Sequence, residues 1–497
     1  MYAPLAPGVA ICGDLRSRPA FRIRPPLLPN LTCARKGRGL SFGVPMSEQT
    51  PCAAPAAERK LKAGALGWAN VAGLGIAIAI SGQFSGWNFG LSAGGWGGLA
   101  LATLLMAAFY LSYSQCVAEL AAAMPSAGGF ETYCRRAFGL SAGYLVGMSV
   151  LVALAIAIGV VGNFTAAYAR SVFGIPPLAM KAALFTAVLL LQMRGARDAV
   201  GVTMVVGLIA VAVLALFSGA MAQFAHLPNL ASQQGGGGWF PHGSFGVFAA
   251  IPYALWMFLG VEQAALAAEE TADPGRTMPK ALTIGVLTLL IVGLGVIVTG
   301  PAGAGTDHIS AAEDPLYAAL TSPIAFGGES WLTRVIGTGA LIGLIATFFS
   351  IFYASSRQLF SLARDGYLPQ WLATTNRRQA PSTALLVVAV VGALATLLPP
   401  EQLLLPVIFL FSVSFLFGLG AFVRLRRVEP ELHRPYRAAG GYFTAALATV
   451  LALVVLSACC VQQAAGLFYA LIVYVVLIAQ FLLFRRRAML EVEATHS

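Results

Sequence analysis

Glu262 is the acid lying deepest within an apolar run of this chain, in the stretch IPYALWMFLGVEQAALAAEE. An ionisable side chain surrounded by hydrocarbon is costly unless paired or hydrated, so Glu262 reads as a binder of a cation or a carrier of a proton; the alternative is a hydrogen bond that staples its own helix. Glu269 and Glu270 stand two turns further on, near Arg276 and Lys280, and read as an end-of-helix charge cluster. Glu119 either relays protons or pairs with Arg135 or Arg136. Thr347 and Ser350 are three apart on one helix face, where hydroxyls either complete a sodium site with main-chain carbonyls or bond back to their own helix. Enzyme signatures are missing: no phosphate-cradling glycine loop, no HExxH, and all five histidines (His226, His242, His308, His433, His496) in loops or the tail. These residues offer binding and charge movement, so an enzyme is not expected.

The elements that must position them are membrane helices. The 497 residues are 58% hydrophobic and 10% charged, with a mean hydropathy of +0.78, which excludes a water-soluble globule. Twelve apolar stretches, near 67–93, 95–123, 138–172, 176–193, 197–224, 244–270, 278–303, 329–363, 381–398, 401–425, 441–463 and 465–485, are each long enough to cross a core roughly 30 Å thick. The alternation of a transmembrane barrel is missing. The net charge of +11 does not imply nucleic acid, because Lys and Arg gather in alternate loops and avoid 225–243 and 304–328. By the positive-inside bias both termini are cytoplasmic, in an inner or plasma membrane, with Arg170, Lys181 and Arg334 as outer-side exceptions that snorkel. Seven cysteines show no metal spacing and read as reduced and structural.

Residues 1–62 read as a disordered cytoplasmic tail; the basic, proline-rich 1–45 reads as sequence upstream of a start at Met46, or as a basic tail. The expected organisation is 63–225 as a first repeat of five helices, 226–440 as a second, 441–487 as two further helices, and 488–497 as a cytoplasmic tail. Oligomeric state has no sequence signal.

The first span stumbles at Ser81-Gly82-Gln83-Phe84-Ser85-Gly86, and the sixth stumbles more weakly around Phe258-Leu259-Gly260. The breaks are five spans apart, so their helices run in opposite senses, the signature of an inverted repeat whose broken helices meet near the midplane. Unwound backbone survives in a bilayer only inside protein or beside a wet cavity. Carbonyls around Ala77 to Ile80 would attract a cation, and amides around Gly86 to Asn88 an anion, which suits a small zwitterion or amine. Gly82 and Gly86, four apart, also fit a helix-packing pair. Asn88 is either a helix cap or a partner for a substrate hydroxyl.

ISGQFSGWNFGL (80–91), CVAELAAAMPSAGGFETY (116–133), IPYALWMFLGVEQAALAAEETADPGRTMPKAL (251–282) and YASSRQLFSLARDGYLP (353–369) resemble the amino acid–polyamine–organocation superfamily of secondary transporters. The first and third are most similar to its ethanolamine permease branch. The resemblance implies an all-α membrane fold of twelve helices: a leucine-transporter-like five-plus-five inverted repeat with broken helices one and six, plus two more. It places Ile80, Ser81, Gly82, Gln83, Phe84, Ser85 and Gly86 at the unwound centre, against the polar head of the substrate. It makes Trp256 an aromatic gate, a role that ordinary packing would also explain, and puts Gly260 and Glu262 at the break in span six. Amino acid carriers of this kind show a glycine-rich triplet where Gln83, Phe84 and Ser85 stand, a departure that favours an amine with a hydroxyl over an α-carboxylate. Span five also lacks the lysine used as an internal cation by some proton-coupled members.

The expected activity is uptake of a small organic amine, ethanolamine first, by alternating access coupled to a proton or sodium ion and without other cofactors. A neutral or cationic amino acid permease is the rival within the class. A channel or non-transporting sensor is the rival outside it, although the chain carries no repeated filter sequence or acidic ring.

Overall fold

Among the described residues, glycines and prolines separate most apolar stretches from their neighbours. The structure, a computed structural model, describes residues 66–126, 128–194, 199–233, 236–462, 472 and 474–482. The expected tails 1–62 and 488–497 lie outside these residues, as does most of 465–485, of which 474–480 are helical. Among the described residues there is no strand, only isolated bridges at Leu66–Thr271 and Ser232–Gly238.

The long helices are α3 (Asn88–Ala123), α5 (Leu140–Phe173), α7 (Ala199–Ala222), α9 (Pro274–Ala304), α12 (Trp331–Arg364), α14 (Pro400–Val428) and α15 (Tyr442–Gln462). Shorter ones are α1 (Trp68–Ala79), α2 (Ser81–Phe84), α4 (Phe130–Phe138), α6 (Pro177–Met193), α8 (Gly243–Trp256), α10 (Thr306–Ser310), α11 (Pro315–Thr321) and α13 (Ser382–Ala395). Val261–Glu270, beyond α8, winds as a 3-10 helix. Counting α8 with that segment, eight described helices are long and apolar enough to cross a membrane, while α1, α6 and α13 are apolar but shorter.

Pro177, Pro274, Pro315 and Pro400 open their helices, where the missing N–H costs nothing. Asp273 caps α9 through Arg276 N, and Ser330 with Thr333 forms a capping box on α12. Inside α3, Gly95 at φ 70° and ψ 179° makes the corner between the first and second apolar stretches; a side chain there would strike Pro241. Hydroxyls within the apolar helices bond back one turn, as Thr165 does to Val161 O at 2.7 Å and Ser412 to Ile408 O at 2.7 Å.

In the interior, α3 packs on α8 and α9, α5 on α12 and α14, and α1 on α7, α9 and the 3-10 segment. The perimeter keeps large apolar side chains outward, including Leu208, Ile291, Val390 and Phe443. A continuous apolar perimeter fits hydrocarbon as solvent, not water.

Candidate functional site

The first break is narrower than the sequence suggests. Ile80 keeps a right-handed helical conformation and its amide reaches Ile76 O at 2.8 Å, after which Ser81–Phe84 form one wound turn. Only Ser85, extended at φ −156°, and Gly86, at φ 100°, leave the helix before α3 begins. The turn stays wound because its amides find partners locally: Gln83 N reaches Ile80 O, and Ser85 N reaches Ser81 O, both at 3.0 Å.

Of the carbonyls expected to be bare, Ala77 to Ile80, the first and the last have partners. Thr347 Oγ1 donates to Ala77 O at 2.8 Å, and Ile80 O is used by Gln83 N. The carbonyls freed by the break belong to Phe84 and Ser85. Tyr168 on α5 donates to Phe84 O at 2.8 Å, and the Trp256 indole donates to Ser85 O at 3.1 Å. On the other side, Gly86 N donates to Asn88 Oδ1 at 3.0 Å, so Asn88 ties the break to the first residue of α3 without capping that helix, whose N-cap position is Trp87.

The second break meets the first directly. α8 stops at Trp256, Gly260 takes φ 101°, and the 3-10 segment follows. A Cβ on Gly82 would lie 2.5 Å from Trp256 O, so the two main chains touch only because residue 82 is glycine. The Trp256 indole lies over Gly86, whose added Cβ would sit 2.6 Å from Nε1. Gln83 ties the contact: its Nε2 donates to Met257 O at 2.9 Å and to Leu289 O of α9 at 3.3 Å, while its buried Oε1 has no hydrogen-bond partner among the described residues. The Phe84 ring reaches α12, where Gly343 makes room. Ile80 to Gly86, Asn88, Trp256, Gly260 and Glu262 are all buried.

Glu262 is held by the second break itself. Gly260 N donates to Oε2 at 3.1 Å and Gln263 Nε2 to Oε1 at 3.3 Å. The Tyr110 hydroxyl of α3 stands beside the carboxylate without closing a full hydrogen bond. Among the described residues no Lys or Arg pairs with Glu262.

Glu119 is elsewhere and differently served. It pairs with Arg426 and, at 3.3 Å, with Arg434, and accepts from Ala438 N at 2.7 Å. The expected partners are corrected: Arg136 is taken by Glu429 at 2.7 Å, and Glu119 belongs to a clamp between α3 and the segment after α14. The 347–350 face also divides, since Ser350 only bonds back to Ala346 O at 2.8 Å while Thr347 crosses to α1. Two of the cations expected on the outer side find partners: Lys181 Nζ donates to Thr396 O at 3.1 Å and Arg334 pairs with Glu329 at 2.7 Å.

Sequence reasoning missed Tyr168, Tyr110 and Asp314. The tyrosines had a signal, a lone polar-tipped ring within an apolar stretch. Asp314 sits in a loop among other acids and had none. Its carboxyl is pushed up to about 6, chiefly by burial, against a hydrogen bond from Ser171.

The sequence matches the family described as amino acid permease over residues 65–481. This chain belongs to that family. A branched-chain amino acid permease of Bacillus subtilis is 26% identical over 385 residues, covering 72% of this chain and 79% of the relative. An aromatic amino acid transport protein of Escherichia coli is 25% identical over 334 residues, covering 63% and 71%. Among solved structures, a manganese transporter of Eremococcus coleocola superposes with a TM-score of 0.55 at 13% identity, over 84% of this chain and 94% of that one. At that identity the likeness concerns the fold alone. The family and its relatives are permeases rather than enzymes, and this permease is a multi-pass membrane protein.

Proposed function

We propose that this permease is a secondary transporter that carries a small molecule bearing a protonated amine, an amino acid by kinship, through the junction of its two breaks. The observation that carries the reading is Glu262: a fully buried carboxylate at the second break, held by neutral donors and with no basic partner among the described residues. Such a group is costly in hydrocarbon unless a cationic ligand or a proton joins it during the cycle. Around it, Ser81 to Gly86 line the first break and the Trp256 indole lies over Gly86 and donates to Ser85 O, so the indole serves as the gate. The clamp end, rich in arginine, is the cytoplasmic one, and both termini lie on that side.

Amino acid transport is supported by the relatives, which are named for branched-chain and aromatic amino acids. One observation favours the second reading, ethanolamine. The amides of Gln83, Ser85 and Gly86 are all engaged within the break, so in this conformation none of them is open to an α-carboxylate. The coupling ion is a proton carried at Glu262; sodium at the Thr347 face, where the hydroxyl donates to Ala77 O, is the other candidate.

Counterflow in proteoliposomes tests both layers. External substrate should accelerate efflux of labelled substrate, with leucine, phenylalanine or alanine outcompeting ethanolamine. Preference for ethanolamine would replace the amino acid by the amino alcohol, and no counterflow with any amine would remove the carrier reading.

A further inference from the structure

The segment Ala311–Leu316, which runs from the end of α10 into the first turn of α11, is fastened to both sides of the first break. Asn88 Nδ2 donates to Ala312 O at 2.8 Å, just after the break. Leu316 N donates to Tyr168 Oη at 3.3 Å, and the same hydroxyl donates to Phe84 O at 2.8 Å, just before it. Asp314 stands midway between the two fastenings. It precedes α11, where aspartate ordinarily caps a helix, yet it makes no capping bond. Its Oδ2 is buried and has no hydrogen-bond partner among the described residues.

Among the described residues, the groups that face Asp314 offer no compensating charge. They are Ser171 and Tyr168 from α5, Tyr317 from α11, and its own neighbour Glu313. Lys181 on α6 faces Glu313 instead. An ionised Asp314 therefore works against the seated loop, and a neutral one does not.

We propose that Asp314 is a protonation site that controls closure of the 311–316 segment over the first break: the loop seats when the carboxyl carries a proton and lifts when it is ionised. The role rests on the transporter reading, in which that loop bars one of the two routes to the site. The sign follows from linkage. With the loop seated the carboxyl is raised to about 6, whereas a hydrated aspartate titrates near about 3.9. Protonation thus favours the seated state as pH falls through about 6, the gain is complete below about 4, and above about 7 closure no longer depends on this group. Between pH 7 and pH 5 the closing equilibrium should move about tenfold.

Amide hydrogen exchange of the full-length protein in nanodiscs reads this without any transport. For peptides spanning 306–321, the protection factor, corrected for intrinsic exchange, should rise about tenfold from pH 7 to pH 5 in the wild type. It should be high and flat with pH in Asp314→Asn, and should follow the wild type in Glu313→Gln. A wild-type protection factor that does not change with pH, or an Asp314→Asn profile that matches it, would overturn the proposal. Peptides from α9 serve as the folding control, and the wild-type profile decides even if the Asn variant is unstable. A protein that moves no substrate would sink the transporter reading and leave this measurement intact.

Discussion

Glu119 and Glu262 are the same residue type at the same burial, 1% and 0% exposed, and the protein treats them in opposite ways. Glu119 has two arginines and a main-chain amide on it. Glu262 has a main-chain amide, a glutamine amide and a nearby tyrosine, with no positive charge among the described residues. The first is a finished ion pair that fixes the segment after α14 against α3. The second is an unfinished one at the meeting of two interrupted helices. Burial alone does not distinguish the two carboxylates; the inventory of partners does.

Breaking the clamp should have the largest effect on the fold. Glu119→Ala leaves Arg426 and Arg434 facing a void, and loss of one partner from a buried charge group costs about 3–5 kcal/mol. A large fall in melting temperature of the detergent-solubilised protein is expected, with little monodisperse material recovered. A melting temperature close to wild type would show that the arginines find other partners and that the clamp matters little.

At the junction the effects should fall on ligand affinity. Trp256→Leu removes both the donor to Ser85 O and the ring face above Gly86. Affinity for an amine substrate should weaken by about 0.5–2 kcal/mol, with Trp256→Phe retaining part of it. Equal affinities in wild type and the Leu variant would leave the indole as packing.

The smallest contrast lies on α12. Thr347→Val loses the bond to Ala77 O and should cost about 1 kcal/mol in stability. Ser350→Ala removes only a bond back to its own helix and should be near neutral. A Ser350 variant that loses sodium-dependent transport, with Thr347→Val unaffected, would reverse this assignment and bring sodium back as the coupling ion.

Much of the fold was legible in the sequence because hydrophobic length and helix-breaking residues are local signals. The stretches near 138–172, 278–303 and 401–425 correspond to α5, α9 and α14 within a few residues. The two interruptions were visible as glycine and polar residues in apolar runs. The extent of the first was not, because it depends on which carbonyls Tyr168 and Trp256 relieve from elsewhere in the chain. The partner of Glu119 was out of reach for the same reason: Arg135 and Arg136 are near in sequence, whereas Arg426 lies 307 residues away. Gln83 looked like a substrate contact by position, yet its amide group turns to Met257 O and Leu289 O. A 3-10 segment of ten residues, Val261–Glu270, was also not predicted; its alanines fit the close approach of α1 at Gly75, where a Cβ would meet Val261 O at 3.0 Å.

The account turns on Glu262, so the decisive measurement is Glu262→Gln, purified and reconstituted beside wild type, with melting temperature and substrate accumulation recorded on the same preparation. Glutamine keeps the size and an acceptor for Gly260 N, so stability should change by no more than about 1.5 kcal/mol. Accumulation against a gradient should be lost, either with exchange surviving but no longer dependent on pH, or with substrate affinity reduced by about 1.5–3 kcal/mol. A Gln variant that accumulates substrate with wild-type affinity and pH profile would contradict the account and leave Glu262 as structural as Glu119.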